Sequence, residues 1–183
     1  MLSDMESSLT DTLCTRCGMC CDGSLFADVE LVGRAEAAGL EVMGLEVEDD
    51  DAGGGLLVQP CRALRDKRCR IYAHRPQCCR TFECRLLQEV RNGVVRLDRA
   101  KEHIAEARER IGRVRGLLTR LGQRDVRLSL KERCAEALAG GTGAGPEVAR
   151  ARLELEATMS ELEALIRRTF LGDEVKTGPH EGR

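Results

Sequence analysis

The sequence predicts a mainly α fold: a small irregular or β cysteine-rich module, followed by a C-terminal antiparallel helical hairpin. Three observations predict it. Nine of the ten cysteines fall between Cys14 and Cys84. Two later stretches, Leu97 to Leu121 and Pro146 to about Leu171, repeat apolar residues every three or four positions, the spacing of one buried helix face. Bulky core fillers are scarce, with no Trp, one Tyr and three Phe in 183 residues, so bonds between thiolates and a metal are expected to supply part of the stability.

The totals narrow the function classes. A net charge of −2 gives no global field toward nucleic acid or acidic membranes, and no segment approaches an uncharged spanning run. The first ten residues lack a basic and an apolar region, so a cytoplasmic location is expected. Thiols there are kept reduced, and a dense cysteine cluster then reads as metal-binding or redox-active rather than as a disulfide framework.

In chain order, residues 1–13 are polar and acidic and read as a mobile lead-in. Residues 14–90 read as a cysteine-cluster metal-binding domain. It opens on Cys14-Thr15-Arg16-Cys17-Gly18-Met19-Cys20-Cys21, four soft, anionic ligands in eight residues. Gly18 fits a chain that must turn with positive φ just past a ligand. Asp28 to Leu40 is expected to form a helix with Asp28 as N-cap, and Val42–Val47 with Leu56–Val58 a β-hairpin. The acidic, glycine-rich loop between the two lacks the ligand spacing of a calcium site and the Lys-Ser/Thr of a phosphate loop, and reads as a solvated turn.

Pro60 to Leu87 forms the second ligand block, with Cys61, Cys69, Cys78, Cys79 and Cys84; Arg75-Pro76 interrupts any helix there. Eight cations (Arg62, Arg65, Lys67, Arg68, Arg70, Arg75, Arg80, Arg85) face two acids (Asp66, Glu83). Four thiolates around a metal leave net negative charge, which nearby guanidinium groups offset. A nucleic-acid patch would use the same arginines, but stacking aromatics are nearly absent, so nucleic acid is not the expected partner.

Residues 91–171 form the helical region. Leu97, Ala100, Ile104, Ala107, Ile111, Val114, Leu118 and Leu121 make one seam on a helix of roughly 37 Å, ended by Gly122. Ser129–Ala139 reads as a short helix with Cys134 on its apolar side. Gly140–Gly145 reads as a linker, and Pro146 opens a helix with Val148, Ala151, Leu155, Met159, Leu162 and Ile166 in register. Residues 172–183 read as a disordered tail.

The cysteine blocks resemble the YkgJ-type CxxCxxCC cysteine-cluster family, a zinc- or iron-chelating domain. The likeness rests on Cys14, Cys17, Gly18, Cys20 and Cys21, on Cys61, and on Cys69-x-Ile71-Tyr72-x-x-Arg75-Pro76-x-x-Cys79-Arg80-x-Phe82-x-Cys84, over about residues 14 to 87. It implies metal ligands at Cys14, Cys17, Cys20, Cys21, Cys61, Cys69, Cys79 and Cys84, with Cys78 and Cys134 outside the pattern. Some related cysteine blocks are attached to methyltransferases, but no strand here leads into the glycine turn that such chemistry uses.

Adjacent side chains usually point apart, so Cys20 and Cys21 are expected to serve different metals, or one of them to stand outside the coordination sphere. Three cysteines at CxxCxxC with a distant fourth suit an iron–sulfur cluster such as [4Fe–4S]. Zinc more often pairs one CxxC with a second pair, and Cys14 and Cys17 with two later cysteines would serve. His74 is expected to face solvent or support a ligand, and Tyr72, Arg75 and Phe82 to pack around the sulfurs. Cys78 reads either as an arginine-activated thiol or as an exposed one, and Cys134 as an inert buried thiol. Two function classes follow: a metal-handling, sensing or partner-docking module whose long helices bind a protein partner or a second copy, or a redox or methyl-transfer-associated enzyme component.

Overall fold

The computed structural model describes residues 2–50, 53–140 and 145–172. Helix α1 (Leu2–Cys17) runs through the stretch that the sequence reads as a lead-in. Its reason is a thin stripe: Leu9, Leu13 and Cys17, spaced by four, meet the helical core, and Leu13 is buried. That stripe is narrow, and the polar composition of the segment conceals it.

Strand β1 (Asp28–Glu30) follows where the sequence predicts the start of a helix. It pairs antiparallel with β3 (Leu56–Val58), Val29 opposite Leu57, and β2 (Val47–Glu48) covers the other edge of β3. Helix α2 (Gly33–Val42) therefore starts five residues after Asp28, past a glycine at φ +78°. Asp28 is a strand residue and no N-cap, because β3 offers Val29 a ladder partner that a local reading cannot see. Glu36 closes the start of α2 by accepting from the Val32 amide at 2.8 Å, and its other oxygen accepts from the Gln77 amide at 2.7 Å. The expected hairpin of β2 and β3 is present with a shorter first strand, since α2 continues through Val42.

The second block folds as a small hairpin, β4 (Leu64–Arg65) and β5 (Arg68–Cys69), then a 3₁₀ turn at Tyr72–His74, helix α3 (Gln77–Thr81) and helix α4 (Arg85–Arg91). Pro76 is the N-cap of α3, so the Arg75-Pro76 break falls where the sequence predicts.

Helix α5 (Leu97–Arg120) buries Ala100, Ile104, Ala107, Ile111, Val114, Leu117 and Leu118, and α7 (Pro146–Ile166) buries Ala151, Leu155, Leu162 and Ile166. The two helices pack together and run antiparallel: Arg110 faces Glu161 at 3.9 Å, and Arg120 faces Glu154 at 3.6 Å. Helix α6 (Leu130–Ala139) leans on both, opened by a reciprocal capping box between Ser129 and Glu132. A π-helical turn, Arg167–Leu171, folds back on α4 and buries Phe170. The linker residues 141–144 and the tail residues 173–183 lie outside the described residues, as do 51–52 of the acidic loop. In the rest of that loop Asp50 Oδ1 accepts from the Gly54 amide at 2.9 Å.

Two apolar cores result. The larger gathers α1, α4, α5, α6 and α7 and takes in Met19, Leu86 and Leu87; Cys17 and Cys84 lie against it. The smaller gathers Leu31, Ala37, Leu40, Leu45, Leu57 and Ala63; Cys61, Cys69, Cys78 and Cys79 lie against that one.

Candidate metal centre

The last turn of α1 carries Cys14 and Cys17. Gly18 stops the helix at φ +65°, a conformation that favours glycine, and a Cβ there would sit 3.1 Å from Arg108 Nη2 and so press on that guanidinium. The Gly18 carbonyl then accepts from the Cys21 and Asp22 amides, each at 3.1 Å, in a tight turn pinned by fully buried Met19. Within that turn Cys20 and Cys21 part company. Charge on Cys17 and Cys84 bears on Cys20, whereas Cys61 and Cys69 are the sulfurs that bear most on Cys21; Cys14 bears on both. Cys20 and Cys21 also act on each other, as neighbours must.

Backbone bonds bring the second block in. The Cys61 amide donates to the Cys21 carbonyl at 2.9 Å and to Gln59 Oε1 at 3.0 Å, with Gln59 itself buried. The pairing of Leu64 with Cys69 brings Cys69 back over Cys61. On α3 the Cys78 and Cys79 sulfurs lie 3.9 Å apart, and Cys79 responds to Cys21 and Cys61. Cys84 occupies the N-cap position of α4, where no conventional side-chain cap forms, yet the Leu87 and Leu86 amides still favour its thiolate.

Burial dominates the acidity of these thiols. It pushes Cys17 and Cys21 up to about 12, and it raises Cys20, Cys61 and Cys84; neighbouring sulfurs add repulsion at Cys17, Cys20, Cys21 and Cys61, and Glu83 adds to the rise at Cys84. Amide N–H groups pull the other way at Cys17 (Met19) and Cys61 (Ala63, Leu64). Between Cys78 and Cys79 the S–H···S contact lowers the first thiol and raises the second. Such a set is held protonated until a cation arrives, and a divalent metal removes both the repulsion and the burial penalty.

All-sulfur donors with amides directed at them fit zinc or iron. Among the described residues no three Cys, His, Asp or Glu side chains stand as a group closed tightly enough to hold a metal ion, so ligation requires these neighbouring thiols to turn inward.

Residues beyond the cysteines complete the surroundings. Asp22 Oδ2 accepts from Arg108 Nη1 at 2.6 Å and Arg115 Nη2 at 3.1 Å, both from α5, while Asp22 Oδ1 accepts from the Ser24 amide. Arg108 also favours the Cys17 thiolate. Of the block's own cations, Arg62 pairs with Glu46, while Arg75 stacks over Tyr72 at 3.7 Å and donates to the Cys79 carbonyl. Phe82 meets Phe26 edge-on at 5.3 Å, and His74 is exposed. Cys134 is buried in α6 and pushed up to about 11 by that burial, consistent with an inert thiol. Asp22 and Arg108 were not singled out from the sequence, because nothing local joins them. Cys78 is half-buried, and its thiol is lowered by its contact with Cys79.

Half-buried thiols beside two cores, with Cys14 exposed and with guanidinium support from a long helix, define a cysteine-cluster metal-binding protein. The chain belongs to the CxxCxxCC family, described as "Putative zinc- or iron-chelating domain", which matches residues 13–109, more than half of its length. That span contains both cysteine blocks and reaches Arg108 on α5. No curated protein and no solved structure matches the chain. Among the described residues no helix is long and apolar enough to cross a membrane.

Proposed function

We propose that the chain holds metal in two thiolate centres, one against each core. Cys14, Cys17, Cys20 and Cys84 make the first, and Cys21, Cys61, Cys69 and Cys79 the second. The observation that carries this reading is the difference between Cys20 and Cys21: Cys17 and Cys84, which lie against the larger core, bear on the first, and Cys61 and Cys69, which lie against the smaller, bear on the second, with Cys14 felt by both.

For the first centre we favour an iron–sulfur cluster. Three closely spaced cysteines with a distant fourth are the donor order of a cubane. Beside Cys17, Arg108 Nε is buried with no hydrogen-bond partner among the described residues, and a cluster brings sulfide acceptors for such a donor. For the second centre we favour zinc, whose sites more often draw their cysteines from separate segments, as Cys21, Cys61, Cys69 and Cys79 are. When bound, a cluster supplies electron transfer and a zinc ion supplies structure. The chain's own residues exclude water, hold the thiolates and offset their charge. A metal-handling or sensing role follows, because Asp22 links the second centre's loop to α5 through Arg108 and Arg115.

Anaerobic purification with iron, zinc and acid-labile sulfide measured on one sample tests this. Cys20→Ser is expected to remove iron and sulfide with zinc retained, and Cys21→Ser the reverse. Loss of the same metal in both variants, with native helicity by circular dichroism, would sink the two-centre reading.

A further inference from the structure

Beside the loop that follows Cys21, and bounded by Pro60 and the segment leading into α6, lies a cavity of about 280 Å³. The proposed ligands do not line it. Its polar wall carries Arg115, Arg133 and Asp22. Its other wall is apolar, from Val126, Leu128 and Leu130.

Arg133 is the unusual member. It is only 8% exposed, and its hydrogen bonds go to Gln123 Oε1 at 3.4 Å and to the Gln123 carbonyl at 3.3 Å, both long and both to neutral oxygens. A buried guanidinium ordinarily meets a carboxylate, since desolvating it unpaired is costly. Among the described residues none forms an ion pair with it. Asp125 is close enough to act on Arg133, but its carboxylate is clasped by Arg127 at 3.0 and 2.7 Å.

Arg115 adds to the excess. It gives one nitrogen to Asp22 and Ser24, at 3.1 and 3.3 Å, while Asp22 takes its shorter bond from Arg108. The charges of Arg115 and Arg133 also oppose each other across the cavity. Two guanidinium groups thus line the cavity beside one carboxylate that is shared with a third arginine, an excess of positive charge that suits an anion.

We propose that this cavity binds a small monocarboxylate, its carboxylate taken by Arg115 and Arg133 and its short apolar tail covered by Val126, Leu128 and Leu130. The planar guanidinium fork matches a carboxylate, and an apolar wall has nothing to offer an inorganic oxyanion. The volume sits at the lower edge of the usual range for ligand sites, which limits the tail to a few carbons.

Calorimetric titration of the full, metal-loaded chain with hexanoate, 1-hexanol and inorganic phosphate tests the proposal. Hexanoate is expected to bind at one site, with 1-hexanol and phosphate each weaker by about tenfold or more. Arg133→Gln should weaken hexanoate by a similar factor. Because Arg133 also supports its surroundings, a rim variant keeps the test clean: Val126 is 71% exposed, so Val126→Glu leaves the fold intact and should weaken hexanoate, while Val126→Lys should tighten it. No hexanoate binding, equal binding of hexanoate and 1-hexanol, tighter binding of phosphate, or an affinity indifferent to both Val126 variants would each overturn it.

Discussion

Arg108, midway along α5, donates to the carboxylate of Asp22 at 2.6 Å across 86 positions of chain, and the same guanidinium favours the Cys17 thiolate. One long helix thereby fixes the loop that carries Cys20 and Cys21. The pair is mostly shielded, with side chains 20% and 12% exposed, so it belongs neither with surface ion pairs nor with fully buried ones.

Arg108→Ala should therefore destabilise the fold by about 2 kcal/mol, between those two limits. It should also speed metal loss to a chelator, because the cysteine turn loses its anchor. Urea unfolding and a chelator time course measure the two. Metal retention equal to that of the parent would mean that Arg108 only braces the fold.

Gly18→Ala should cost about 1–2 kcal/mol, combining a left-handed backbone with a 3.1 Å approach to Arg108 Nη2. Gly112→Ala is the control. It lies within α5 with nothing within 4 Å of its added methyl, so it should stabilise by about 0.5–1 kcal/mol. Opposite signs in thermal unfolding are the expected result; equal shifts would contradict the geometry of the turn.

On α7 the inner and outer faces should differ sharply. Leu155 is fully buried, and Leu155→Ala should cost about 2–5 kcal/mol; Leu153 is 68% exposed, and Leu153→Ala should stay within about 0.5 kcal/mol. Chemical denaturation followed by circular dichroism decides it. Similar costs at both positions would shift the register of the helix.

Cys134 gives a pH prediction. Burial pushes its thiol from the ordinary 9.0 up to about 11, so the folded chain keeps a proton that the unfolded chain releases. Below pH 9 the thiol is protonated in both states and its titration has no effect on stability. As pH rises from 9 through 11, the native chain should lose about 2 kcal/mol relative to Cys134→Ala. Parallel stability curves for the two proteins over that window would show that the thiol is solvated. Native Cys134 should also resist alkylation at neutral pH.

The seams of α5 and α7 were legible because helix periodicity is local: each apolar residue from Ala100 to Leu118 reports the same face whatever it packs on. The short helix α6 was legible in the same way. Asp28 was not, because its strand exists only through the pairing of Val29 with Leu57, which a local reading cannot register. The helix over Leu2–Cys17 was hidden by polar composition, its stripe being too thin to stand out until α4 and α5 supply a surface for it.

For the site, the cysteine pattern of the family, the left-handed glycine at Gly18 and the expectation that neighbouring Cys20 and Cys21 point apart were legible in the sequence by itself, since these follow from ligand chemistry and from chain geometry over a few residues. Only the tertiary structure decided that Cys17 and Cys84 lie against one core and Cys61, Cys69, Cys78 and Cys79 against the other, that Arg108 and Arg115 reach Asp22, and that Arg133 is buried beside a cavity. Those relations join residues tens of positions apart, and they form only when two separate apolar cores close and bring the segments they carry into contact.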